Sequence, residues 1–180
     1  MRRAFVPVRL PAATRFPMML ISILAAATLF AAQGDKPGPA AARAMPQLSA
    51  SDTVALCLGR RDGTSRACIG DFTEACIRLN EDGETNAGMI GCTAQELEAW
   101  DAALNEAYDA LRARHDGTRA TALRDAQRAW IAKRDADCAF LASIFEGGSH
   151  ASLEQTSCLM TETAERTIVL RDWSENYPPF

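Results

Sequence analysis

Cysteine and histidine are the residues of this chain best suited to metal, redox or nucleophilic chemistry, and their spacing argues for structure instead. The six cysteines are Cys57, Cys68, Cys76, Cys92, Cys138 and Cys158, and the only histidines are His115 and His150. No Cys-x-x-Cys occurs, and neither histidine stands at ligand spacing from a second histidine or a cysteine pair. No metal and no other cofactor is therefore expected. In an oxidising compartment such thiols pair. Turn signals favour one pairing among the many that six cysteines allow. Gly148 is midway between Cys138 and Cys158, Glu84 (beside Gly83) is midway between Cys76 and Cys92, and Arg61-Asp62-Gly63 falls between Cys57 and Cys68. Elements folding back across a turn bring equidistant residues within the few ångströms that a disulfide needs. The expected pairs are Cys57–Cys68, Cys76–Cys92 and Cys138–Cys158. Each closed loop would contribute about 2–4 kcal/mol.

Carboxylates are the next candidates. Glu96, Glu98 and Asp101 cluster, and a glycoside hydrolase needs an acid and a base about 5–10 Å apart. On a helix, however, Glu98 and Asp101 are neighbours on a face expected to be solvated. His150 has a serine beside it but no positioned acid and no pocket. No Gly-x-Ser-x-Gly, His-Glu-x-x-His or Walker loop occurs. The chain is not expected to be an enzyme. Arg134 and Asp135 read as an ion pair or cap contact orienting two helices, with a carboxylate such as Glu96 as partner. Arg128 and Arg166 read the same way.

The elements that would position these residues are helices. Ile90, Leu97, Trp100, Leu104, Tyr108 and Leu111 mark one stripe of a helix from Met89 to His115. Thr93 and Glu96 have capping-box spacing, either at its start or one turn inside. A second helix runs from Thr118 to Glu146, with Leu123, Ala126, Trp130, Cys138, Leu141 and Phe145 near one face. Gly147-Gly148 stops it, and Ser149 would cap a third helix reaching Trp173. That helix has Leu153, Met160, Ala164 and Ile168 on its core face. A shorter helix covers Asp71 to Leu79. Trp100, Tyr108 and Trp130 are expected to be core aromatics. No strand-like alternation of useful length appears. The expected fold is all-α, a small antiparallel bundle of three to four helices stapled by disulfides.

The N-terminus reads as an address. Arg2, Arg3, Arg9 and Arg15 precede an uncharged run from Phe16 to Ala32. A basic head and an apolar run of 17 residues, short of the ~20 of a spanning helix, make residues 1–32 a signal peptide. Small-x-small sites at Ala40-Ala41-Ala42 and Ala42-Arg43-Ala44 allow cleavage as late as residue 44; an uncleaved anchor is the alternative. Residues 33–50 are a flexible lead-in rich in Pro, Gly and Ala, and residues 51–175 the folded domain. Four of the 19 basic residues and none of the 23 acidic ones lie in residues 1–32, which leaves residues 33–180 at −8. Such a surface excludes a general nucleic-acid binder and steers cationic partners inward.

One ordered set of residues goes further. Cys92, Glu96, Asp101, Leu104-Asn105 and Tyr108 are followed by Ala126-Gln127-Arg128-Ala129-Trp130-Ile131, Arg134-Asp135-Ala136 and Cys138. Gly147-Gly148-Ser149, Cys158 and Arg166 complete it. Over residues 70–172 this resembles the LprI-like lysozyme-inhibitor N-terminal domain family of secreted bacterial proteins. The resemblance implies a compact, helical, disulfide-bonded, periplasmic or secreted domain. Its partner would be a basic lysozyme or a related cell-wall hydrolase, and no stable membrane span would remain after cleavage. The chain departs from the family in Lys133, where an aromatic residue is common. The Cys57–Cys68 pair is additional, and the cysteine that lipoprotein processing requires is missing. The candidate partner-binding loop is Gly147, Gly148, Ser149 and His150, whose ends the Cys138–Cys158 bond would fix at low ordering cost. The competing reading of the loop is a plain turn and cap. The competing reading of the protein is a structural or stress-related envelope protein with no enzyme target.

Overall fold

A computed structural model describes residues 49–60 and 64–177. The expected signal peptide, most of the lead-in and the Arg61-Asp62-Gly63 turn lie outside the described residues. Five α-helices and one 3-10 turn form the described chain: α1 (Ala50–Leu58), the 3-10 turn (Thr64–Cys68), α2 (Asp71–Leu79), α3 (Asn86–Ala113), α4 (Gly117–Ser143) and α5 (Gly148–Asn176). The all-helical, disulfide-stapled class read from the sequence is the class observed, with one helix more.

That extra helix is α1. Ser49 and Asp52 close a capping box around its first turn, so the last two residues of the expected lead-in, Ser49 and Ala50, are its N-cap and first residue. Only Val54 and Cys57 of its nine residues are buried. So short an element shows no apolar period, and its cap was the one available signal. Within α3 the cap is Thr85, whose hydroxyl accepts from the Gly88 N–H. Thr93 therefore lies inside the helix, its hydroxyl donating to the Met89 carbonyl at 2.8 Å. Gly88 is required where it stands, because a Cβ there would sit 2.0 Å from the Asp82 carbonyl oxygen.

Successive long helices are antiparallel. Cys138–Cys158, Arg134–Thr163 and Gln127–Arg166 set α4 against α5. Asn86–Ser149 at one end and Arg114–Ser174 at the other set α3 and α5 side by side and parallel. The core follows the α3–α5 seam in two clusters. Val54, Cys57, Cys68, Ala99, Trp100, Met160 and Ala164 make the first. Leu104, Ala107, Leu111, Leu123 and Leu170 make the second, with Tyr108, Trp130 and Trp173 packed half-exposed against it. Of the three aromatics expected in the core, only Trp100 is fully buried, at 0% exposure. Helix α4 departs most from its sequence reading. Only Leu123 and Cys138 are buried along it, because it leans on α5 along one side; Leu141 and Phe145, expected inside, are exposed.

Disulfides join Cys57 to Cys68, Cys76 to Cys92 and Cys138 to Cys158, with Cα separations of 5.9, 5.7 and 5.5 Å. They tie α1 to the 3-10 turn, α2 to α3, and α4 to α5.

Candidate functional site

The α4–α5 turn is built by backbone conformation. Glu146, Gly147 and Gly148 have φ of 51°, 95° and 79°, a left-handed run that glycine adopts without a Cβ penalty. Gly147 is the N-cap of α5 and makes no side-chain cap bond. Gly148, Ser149 and His150 form the first helical turn, so the expected Ser149 cap is replaced by a glycine turn. Ser149 instead accepts from the Asn86 side-chain amide at 2.8 Å, which ties this turn to the start of α3. The His150 ring meets Phe145 edge-on, centroids 4.4 Å apart, and its Nε2 is 3.6 Å from the Glu154 carboxylate. All four residues of the candidate loop are exposed.

Beside them stands an apolar tip that the sequence reading missed. Phe140 and Ile144 are 66% and 58% exposed, and Leu141 and Phe145 are also uncovered. These are two i,i+4 pairs on adjoining faces of α4. Their arc is wider than a helix with one packed side needs, and that width was the signal available in the sequence. The acidic α2–α3 loop, with exposed Glu81, Asp82 and Glu84, lies at the same end through the Asn86–Ser149 bond. No lysine or arginine occurs in residues 79–111 or 135–165.

Arg134, Asp135 and Trp130 sit elsewhere, on the α4 face nearer its middle. Arg134 donates twice to the Asp135 carboxylate, at 2.8 and 3.0 Å, and once to the Thr163 hydroxyl at 3.2 Å. It does join two helices, α4 and α5, but its carboxylate partner is Asp135 and not Glu96. Its guanidinium lies 5.0 Å from the Trp130 ring centre. Arg166 lies 5.7 Å from Trp130 and 5.0 Å from Trp173, and its Nε donates to Gln127. Burial lowers the Arg166 pKa from its ordinary value, since desolvation disfavours the charged form. Lys133, the departure from the family pattern, bonds Asp137 at 2.7 Å and lies 3.6 Å from Glu162 on α5. The hydrogen bond to Asp137 and the Glu162 charge raise its pKa.

Glu96 is structural. It is 1% exposed and accepts from the Gly70 N–H, the Thr73 N–H, the Thr73 hydroxyl and the Trp100 indole at 2.7–3.1 Å. Its carboxylate thus closes the N-terminus of α2, where the helix dipole favours negative charge. Among the described residues no group of three or more His, Cys, Asp or Glu is placed to hold a metal ion.

Residues 76–170 match the family described as Lysozyme inhibitor LprI. An uncharacterized protein of Rhizobium meliloti (strain 1021) is 32% identical over 98 residues, spanning 47% of this chain and 70% of that protein. No solved structure matches. The matched segment runs from the first cysteine of α2 to Leu170 in the core of α5, over half of the sequence, and the chain belongs to the LprI lysozyme-inhibitor family.

Proposed function

We propose that this chain is an exported bacterial binding protein that engages a basic lysozyme, or a related cell-wall hydrolase, through the α4–α5 end of the molecule. The observation that carries the reading is the exposed Phe140–Ile144 face on a stretch without any lysine or arginine. Exposed apolar anchors on a segment that carries acids but no lysine or arginine suit a cationic enzyme: the acids steer encounter and the anchors hold the complex. The Cys138–Cys158 bond and the Asn86–Ser149 contact fix the turn before binding, which lowers the ordering cost. Export supports the disulfides, which persist outside the reducing cytosol. No helix among the described residues is long and apolar enough to cross a membrane. The role is binding, in keeping with a family described as inhibitors.

The test is capture of lysozyme by the mature chain, followed by a muramidase assay. Phe140→Ser with Ile144→Ser should weaken binding by about tenfold or more, as loss of anchor residues does, with unchanged melting. Ser149→Ala with His150→Ala should weaken it less. Binding of no tested lysozyme at micromolar concentration would overturn the inhibitor reading in favour of an envelope structural protein.

A further inference from the structure

A second surface shares no residue with the tip and has the opposite charge character. Between α3 and α4 lies a cleft of about 320 Å³, at the small end of ligand sites, which run to roughly 300–1,000 Å³. Arg124 and Arg128, one helical turn apart on α4, form one wall. Asp101, Asn105 and Tyr108 on α3 form the other, and Trp130 is part of the floor. We propose that this cleft binds an acidic saccharide, a sugar ring carrying a carboxylate.

The two guanidiniums hold unspent charge. Both are exposed, 48% and 72%, and they share a single acid, Asp125, at 3.3 and 4.0 Å. Neither forms a hydrogen bond or ion pair with α5. Guanidiniums match carboxylate geometry with paired N–H donors. The facing wall is of another kind. Asn105 gives its amide N–H groups to the Asp101 carbonyl and carboxylate, at 2.8 and 3.0 Å, which leaves its own amide oxygen free to accept. The Tyr108 hydroxyl makes no hydrogen bond within the described residues. A free amide oxygen, a carboxylate and a phenol suit neutral hydroxyls, whereas Asp101 would repel a compact dianion such as phosphate. Ile131 and Trp130 supply apolar contact for the ring carbons. Trp130 is held in place by Arg134, so the floor is preorganised.

Part of the ordered set by which the chain resembles its family falls here too, while the rest of it, Cys92, Glu96 and Cys138 among them, lies in the core. Asp101, Asn105, Tyr108, Gln127, Arg128 and Trp130 all line this one cleft, although none of them is fully buried.

The experiment is isothermal titration of the purified full-length mature chain with two matched pairs, N-acetylmuramic acid against N-acetylglucosamine and glucuronic acid against glucose, and with inorganic phosphate. Both acids should bind with Kd of about 1 mM or tighter, and the neutral sugars and phosphate about tenfold more weakly. Arg124→Gln with Arg128→Gln should weaken the acids about tenfold while melting stays unchanged, since both side chains are solvent-facing. Phe140→Ser with Ile144→Ser should bind the acids as the parent does. Equal affinity for neutral sugars, phosphate as tight as the acids, undiminished binding by the arginine variant, or no binding at about 10 mM would each overturn the proposal. None of these outcomes depends on whether lysozyme is bound.

Discussion

Two carboxylates two residues apart on α3 have opposite roles. Glu98 is exposed, whereas Glu96 is sealed beneath α2 with four donors on its two oxygens. A buried carboxylate without a basic partner is costly unless its acceptor sites are filled, and here backbone N–H groups at a helix start fill them. Removing it strands those donors. Glu96→Ala should destabilise by about 3–5 kcal/mol, as loss of one side of a buried charge contact does. Glu96→Gln should cost about 1–3 kcal/mol, because an amide N–H must then face a donor. Glu98→Gln should stay within about 0.5 kcal/mol. Urea unfolding of the three variants checks this; equal effects at the two sites would refute the assigned roles. Trp130 teaches the same lesson in reverse. Its spacing places it on a helical stripe, but the structure sets it between guanidiniums at the edge of the second cluster.

Among the elements, α4 is the least secured. Helix α3 is covered by α1, α2 and α5, while α4 is held chiefly by α5, Leu123 and the Cys138–Cys158 bond. That bond closes a separation of 20 residues, for which chain entropy predicts about 3 kcal/mol. Cys138→Ala with Cys158→Ala should therefore lower the melting temperature and raise hydrogen exchange in α4 before α3. If α4 amides stay as protected as those of α3, side-chain packing and not the disulfide holds the helix. The glycine turn that follows was visible as Gly147-Gly148, but which residue capped α5 was not. Ser149 has the right side chain for a cap, and three successive left-handed residues moved the helix start before it.

At the scale of the molecule, charge is segregated. One end combines the acidic α2–α3 loop with the α4–α5 turn, and Arg78 in the last turn of α2 is paired there with Glu74, while Arg124, Arg128, Arg134 and Arg166 gather along the middle of α4 and α5. Association with a basic lysozyme should then be steered. Raising salt from about 50 to 300 mM shortens the Debye length from about 14 to 6 Å. Association should slow by about tenfold or more while dissociation changes little. Stopped-flow or surface-binding kinetics measure both rates; a salt-independent association rate would mean the acidic end is not the contact.

Local chemistry sufficed for what sequence alone determined: helical class from stripes on α3 and α5, helix ends from Asp116-Gly117 and Gly147-Gly148, disulfide stapling from cysteines centred on turns, and the family from one ordered motif. Periodicity tells which residues share a face, but not what covers it. Only the tertiary structure decided that α3 and α5 share the core, that α4 leaves Phe140 and Ile144 to solvent, that Glu96 caps a helix 23 residues before it, and that part of the motif lines a cleft. Each depends on neighbours distant in sequence, and burial, unlike helicity, belongs to pairs of elements and not to either one.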